Sequence, residues 1–520
     1  MSKPNFHSLL IPIGSVVLIF LLIVVKKLTT IYIPNEVDFL PFARQFWEPN
    51  WLQNDWYLNL GNTYRNLLSM IIGPLVSWLG FDMGRYVGRF LVYLFLSVAV
   101  YDFFKSIRSN LVIGLVVLYI FLIHQSIIAG EWIVGGVDTK TVAYSIVILS
   151  WAALIRKRYL SVFVFLGAAL SFHPLVGIYA VYCSVLAVLV NKAWRSDWRI
   201  VTKKSWPFFI TGIYGIWSIT SSQFQSSYMD SNTAWWIYTE YRLPHHLIPA
   251  SWGYGYWIDG FTIAVLLLGA VFLIAKSDNL RYLAAYALAS VSLFIVGLVI
   301  YALGEVDLLR FYWFRFPDVV VPFMSLIISG LVIQNLFKIL GTKILTLPDD
   351  NFFQKMYRSE YASKTAALAV VLVIFTAASV AVFDRIQSEV HSHSPIREME
   401  FWIAGNTPKD SVFLVNPRIE DFYIYAERPV FVTFKHFPQS APEIEEWHER
   451  IKLCNGNRTP QKMGFDSLDE IETSFYNLDE EAIRHIAKTY GMNYYLGLPS
   501  QNLPFRLVHS DGQFALYEIQ

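Results

Sequence analysis

Residues 9–47 read LLIPIGSVVLIFLLIVVKKLTTIYIPNEVDFLPFARQFW, and the fold class turns on them. Leu9 to Val25 is a charge-free apolar run, long enough to cross a hydrocarbon core of roughly 30 Å as a helix. No small-residue cleavage site follows it, so it is expected as a retained first span rather than a removed signal peptide. Directly behind it the chain turns acidic and aromatic, and stays so to Arg65 (IPNEVDFLPFARQFWEPNWLQNDWYLNLGNTYR, residues 33–65).

Working outward, the same alternation of apolar runs and polar loops continues. The 520 residues are 55% hydrophobic and only 16% charged. Soluble domains run nearer a quarter charged, which makes this a polytopic α-helical membrane protein. Spans are expected near residues 9–28, 86–104, 111–128, 139–155, 159–172, 175–190, 205–221, 258–276, 281–303, 317–337 and 366–383, roughly eleven in all on the length rule. Residues 67–80 are apolar but short and read as an interfacial or re-entrant helix, and His173-Pro174 splits 159–190 into two short pieces. The net charge of +1 is spread over loops, which excludes a basic nucleic-acid-binding face. Cys183 and Cys454 lie too far apart in character to suggest an internal disulfide.

Charge bias orients the spans. Lys105/Arg108, Arg156/Lys157/Arg158, Lys192 through Lys204 and Lys338 through Lys364 fall in one set of loops, which are expected in the cytoplasm. Glu36/Asp38, Glu131/Asp138, His173, His245/His246 and Glu305/Asp307/Arg310/Arg315 then all face outward. From about Asp384 the composition becomes that of a soluble domain. Strands are expected at 411–415, 430–434 and 493–498, helices at 442–453 and 479–490, and a hairpin about Asp511-Gly512 within 505–519. The organisation is thus residues 1–383 in the membrane, with an acidic first outer loop at 29–66, and an extracytoplasmic α/β domain over 384–520.

Each outward cluster has a chemical and a bland reading. Glu36 and Asp38 are spaced to present two carboxylates, as a general base or as oxygen ligands for a divalent cation, and Asp55 is a weaker third. Trp47, Trp51 and Trp56 suit an interfacial aromatic belt. Asp138 or Thr139 can cap the helix that follows, whereas Glu131 has no such role and can line a cavity. His173 before Pro174 breaks a helix at membrane depth, where freed backbone groups need a protein-lined or watery site. His245 and His246 lack a third ligand at metal spacing, so with Arg242 they read as an anion-recognition cluster. Arg310 and Arg315, among aromatics beside Glu305, suit phosphate oxygens, with snorkelling as the alternative for one of them. No Walker loop, Rossmann glycine pattern or serine-nucleophile motif is present, which leaves ATP-driven transport without support.

A first span, a long acidic and aromatic outer loop, many further spans and an external α/β domain together resemble the glycosyltransferase-C (GT-C) superfamily, with Glu36-Val37-Asp38 in the place of its acidic first-loop motif. The chain also resembles an uncharacterised group of multi-spanning bacterial proteins common in cyanobacteria. That second likeness rests on VDTKTVAY (137–144), SFHPLVG (171–177), YRLPHHLIP (241–249), FRF (314–316), NTPKDSVFLVNP (406–417), ERPVFVTFKHFP (427–438) and EWHER (446–450). The resemblance implies a bacterial inner (plasma) membrane enzyme that moves a sugar from a polyprenyl-phosphate-linked donor to a glycan, lipid or protein acceptor. Asp38 or Glu36 would accept the proton. Arg310, Arg315, Arg242, His245 and His246 would hold the donor phosphate, while Glu131, Asp138, His173 and Glu305 line the cavity. Metal use varies in the superfamily, so Mg or Mn is the cofactor it leaves open; the sequence itself holds no complete ligand set. Two rivals stand beside this reading: a transporter or flippase for a lipid-linked or anionic solute, and a non-catalytic subunit of a polysaccharide assembly complex.

Overall fold

A computed structural model describes the chain apart from residues 1–5, 62, 227–231, 254–255, 347–350, 352–353, 355–358, 392–393 and 520. Among the described residues five helices are long and apolar enough to cross a membrane: Leu10–Lys27, Thr63–Ser106, Asp278–Leu303, Arg315–Leu345 and Ala362–Glu389. Five shorter apolar helices accompany them: Leu111–Ile123, Thr139–Ile155, Tyr159–Phe172, Pro174–Val190 and Ile258–Ile274. The centre of the bundle is Thr139–Ile155, buried almost all round, as a helix without a polar face must be. Its Trp151 packs against Phe103, Tyr286 and Phe323, with ring centroids 5.3–5.9 Å away.

Two helix boundaries differ from the sequence reading. Residues 67–80 do not stand apart: Asn66–Ser106 runs on, interrupted only at Gly80, whose φ of 75° breaks the ladder without a Cβ penalty. Residues 205–221 form two pieces, Trp206–Thr211 and Ile213–Ser226, divided at Gly212. The split at His173 is as the sequence suggests. His173 is extended, Pro174 opens the next helix, and the imidazole Nδ1 accepts from Val176 N at 3.4 Å. The two arms close tightly because Gly177 faces Leu170, whose Cα would lie 2.3 Å from an added Cβ.

At the far end the chain forms a four-stranded sheet, order β1-β2-β4-β3: Phe413–Leu414, Tyr494–Gly497, Ala515–Glu518 and Arg506–Ser510. β1 and β2 are parallel, and the other pairs are antiparallel. The expected hairpin about Asp511-Gly512 forms, and helices Ala441–Cys454 and Glu480–Tyr490 stand where periodicity puts them. The expected strand at 430–434 reduces to one bridge, Val430 to Phe413. Side chains take the carbonyls it would have offered: Arg450 Nη1 reaches Phe431 O (2.8 Å), Trp447 Nε1 reaches Thr433 O (3.0 Å) and Arg242 Nε reaches Phe434 O (3.0 Å).

Two hydrophobic clusters join this segment to the outer loops. One combines Ala234, Ile237, Tyr241 and Leu247 with Phe431, Phe434, Trp447 and Tyr495. The other combines Phe42, Leu52, Tyr57 and Leu58 with Met399, Phe422, Tyr423 and Leu516. Fully burying one such large side chain contributes roughly 1.5–3 kcal/mol, so these shared cores fix the sheet against the ends of the helices. Asp55 adds a polar fastening: it accepts from Leu58 N (2.8 Å), Val430 N (3.0 Å) and Tyr423 OH (3.1 Å).

Candidate functional site

The loop after the first span begins with helix Pro34–Trp47, which Pro34 opens and Glu36 caps by accepting from Ile33 N at 3.1 Å. Glu36 is fully buried and its carboxylate is fully used. Arg89 grips both oxygens, and Val137 N donates to Oε1 at 2.9 Å. The same guanidinium reaches the carbonyls of Thr29 and Ile31, both at 2.9 Å. Glycine is required at 136, where a Cβ would lie 2.3 Å from Glu36 Oε1. Glu36 therefore knots four segments together.

Asp38, two residues on and therefore on the other side of the helix, faces the C-terminal segment. Arg65 Nη2 donates to Oδ2 at 2.6 Å and Tyr57 OH to Oδ1 at 2.8 Å. Burial pushes this carboxyl up, but the Arg65 guanidinium, with His436 and Lys435 beyond it, holds it down at about 2. Arg65 lies against Phe42 and Tyr64, and its Nη1 is buried with no hydrogen-bond partner among the described residues. His436 completes this side: Nε2 meets Val37 O at 3.2 Å, and the ring lies between Tyr57 and Tyr423.

The loop at residues 124–138 is shaped by Asp318, which lies inside an apolar run. Asp318 accepts from Ile127, Ile128, Ala129 and Glu131 backbone N–H groups at 2.6–3.1 Å. This places Glu131 against Arg315 (Nε–Oε2 2.5 Å) and Lys140 (Nζ–Oε1 3.3 Å), with Lys140 over the Trp132 ring. Asp138 caps the following helix through Lys140 N at 3.2 Å and also holds Asn35 Nδ2 at 2.6 Å. His173 reaches the same side, 6.0 Å from the Tyr64 ring. Behind the loop lies a cavity of about 460 Å³, lined by Lys27, Gln125, Glu131, Trp132 and Arg385 among others. Of the charged residues gathered here, Glu131 borders it, beside Trp132.

The third contribution is the π-helix Ile237–Arg242 with the turn after it. Arg242 is buried among Phe434 and Phe465, and its Nη1 too has no hydrogen-bond partner among the described residues. Burial lowers its guanidinium to about 10. His245 and His246 stack at 4.0 Å, and His246 Nδ1 lies 2.7 Å from Ala129 O. Burial, then Arg242 and Arg315, brings His245 down to about 4, and burial, with Arg315 and His245 beside it, lowers His246 well below its ordinary value. Both rings are neutral at pH 7 and offer hydrogen bonds rather than charge. Tyr312, in the left-handed region at φ 56°, shares a 2.9 Å hydrogen bond with Tyr238 beneath Arg315.

The structure thus brings Asp38, Glu131, Asp138, His173, Arg242, His245, His246 and Arg315 to one end of the helices. Arg310 stands apart, stacked 3.9 Å over Trp235, and Glu305 is exposed at the start of a short helix. Sequence reasoning missed Arg65, Arg89, Asp318, Lys435, His436 and Glu420. Arg89 and Asp318 had a signal, since charges inside apolar runs are seldom idle. For a divalent cation the fit is poor. Glu36 and Asp38 each face a guanidinium where an ion would sit, and no group of three or more His, Cys, Asp or Glu side chains among the described residues is disposed to hold one.

Known proteins give a consistent but partial match. A family described as a domain of unknown function (DUF6798) matches residues 394–454. No curated protein matches the chain. Among solved structures, the Archaeoglobus fulgidus oligosaccharyltransferase in its apo form is similar at TM-score 0.51 and 10% identity, over 95% of this chain and 70% of that one. The same enzyme tethered to an acceptor peptide containing an NVT sequon gives TM-score 0.50 and 11% identity, over 94% and 69%. At this identity the likeness is one of fold: the chain is a multi-helical membrane protein whose overall architecture is similar to that of this oligosaccharyltransferase.

Proposed function

We propose that the protein is a membrane glycosyltransferase that moves a sugar from a polyprenyl-phosphate carrier to an acceptor on the outer face of a bacterial inner membrane, with residues 384–520 extracytoplasmic. One observation carries the reading. On the Asp38 side, two buried arginines, Arg65 and Arg242, each hold a donor that no group among the described residues satisfies. An unmet buried donor costs about 1–3 kcal/mol, which a phosphate oxygen bound there would relieve. Arg315, in ion-pair contact with Glu131, is the third guanidinium of the set.

In this reading the carrier enters sideways from the bilayer and its phosphate is held by Arg242, Arg315 and Arg65, with His245 as a neutral donor and His246 held in place by the Ala129 carbonyl. The acceptor oxygen attacks the anomeric carbon from the opposite side, inverting it, and the bond to the carrier phosphate breaks. Positive charge fixed before the reaction stabilises that leaving group without ATP. The test is a structure of the protein in nanodiscs with added undecaprenyl phosphate. Phosphate density among Arg65, Arg242 and Arg315 would support the reading. Density elsewhere would favour transport or assembly in its place.

A further inference from the structure

Glu36 and Asp38 are both committed: Glu36 to Arg89, and Asp38 to Arg65 and Tyr57. A third carboxylate reaches the same place from the C-terminal segment. Asn416 folds residues 416–419 into a turn by accepting from Arg418 N and Ile419 N, and Phe434 N donates to Pro417 O at 2.8 Å. Glu420 follows this turn. Alongside it, Arg242 bonds the Phe434 carbonyl and His436 meets the Val37 carbonyl, one residue from Asp38. Lys435 is therefore bracketed between Arg242 and Asp38.

Glu420 and Lys435 are both half-buried, and among the described residues neither has a hydrogen bond or an ion pair within 4 Å. The charged groups facing Glu420 are Lys435, Arg242, Asp421 and Asp38, and those facing Lys435 are Arg242, Asp38, Glu420 and Arg65. Burial raises the Glu420 carboxyl, while Arg65 keeps Asp38 low. A carboxylate near 2 is a poor proton acceptor at neutral pH, and a raised one is a better match.

We propose that Glu420, supplied by the C-terminal segment, takes the proton of the acceptor hydroxyl, with Lys435 as its charge partner and Asp38 positioning Arg65. This rests on the transferase reading above. As the acceptor oxygen bonds to the anomeric carbon, its proton passes to the Glu420 carboxylate. The electron pair of the breaking carbon–oxygen bond leaves on the carrier phosphate, and the Glu420 carboxyl afterwards loses its proton to water.

The test needs no identified acceptor. Dicyclohexylcarbodiimide is apolar and condenses with protonated carboxyl groups, so its adducts can be mapped by peptide mass on wild-type protein in nanodiscs from pH 5 to 9. The expected result is an adduct on Glu420 but not on Asp38, falling at least tenfold from the acid to the alkaline end of that range. Lys435→Met should move the midpoint of that fall upward by about one pH unit, because a neighbouring positive charge is lost. Absence of a Glu420 adduct at every pH, or a midpoint indifferent to Lys435, overturns the proposal. Binding of undecaprenyl phosphate to the same nanodiscs is read separately. If the lipid binds and Glu420 stays unlabelled, this proposal fails alone; if the lipid does not bind, the transferase reading fails and takes the proposed role with it.

Discussion

Arg65 and Asp38 form a nearly buried ion pair, Nη2 to Oδ2 at 2.6 Å, with 11% and 12% of their side chains exposed. Removing one partner of such a pair strands the other, at a cost on the order of 3–5 kcal/mol. Asp38→Asn and Arg65→Met should therefore each lower thermal stability clearly, while the double variant loses less than the sum. Additive losses would mean the pair does not couple. The pH sign follows from the low Asp38 carboxyl. Its stabilisation is present above the ordinary carboxylate range near 4 and is lost as pH falls toward about 2.

Arg315 separates phosphate binding from snorkelling. It touches Glu131 and covers the Tyr312 ring, so a helix-end role alone would leave lipid-phosphate affinity unchanged on truncation. Arg315→Ala is expected to weaken undecaprenyl phosphate binding about tenfold or more, and Arg315→Lys less, since a lysine keeps the charge but not the planar fork. Native mass spectrometry of the nanodisc protein gives the comparison; equal affinities across the three would return Arg315 to a structural role.

Asp55 is expected to make the contact between the loop after the first span and the C-terminal segment pH-dependent. Burial raises its carboxyl, and although Leu58 N, Val430 N and Tyr423 pull it back, it stays at about 6. A folded value above the unfolded one means stability present below about 4 and lost as pH rises through 6. A shift of roughly two pH units corresponds to about 3 kcal/mol. The melting temperature should fall between pH 5 and 7.5 in the wild type and stay flatter across that window in Asp55→Asn. Parallel curves would exclude Asp55 as the titrating group.

What the sequence discloses is set by how local each signal is. Thr139–Ile155 and Tyr159–Phe172 end at the residues where their apolar runs end, because hydropathy and a capping Asp138 act within a few residues. The His173 break was legible for the same reason. Arg65 closes the acidic loop, yet nothing local in the sequence says that it folds back to Asp38, 27 residues earlier. Lys435 and Glu420 were less visible still. Their place depends on Arg242, Trp447 and Arg450 taking backbone carbonyls from the 431–434 stretch, a tertiary competition that alternating apolar residues do not reveal.

Topology underlies the whole reading and has a direct check. The two native cysteines, Cys183 and Cys454, are buried, so a membrane-impermeant maleimide should find little on the wild type. Gln513 lies exposed at the turn between the last two strands, and Arg195 is exposed after the helix Pro174–Val190. Loops rich in Lys and Arg stay inside, so Gln513→Cys should label in intact cells and Arg195→Cys only after permeabilisation. Both positions lie at the surface, where substitutions usually change stability by less than 0.5 kcal/mol or so, which keeps the readout free of misfolding. The reverse pattern would put Asp38, Arg242 and Arg315 on the cytoplasmic side, where a carrier presented from the outer leaflet could not reach them.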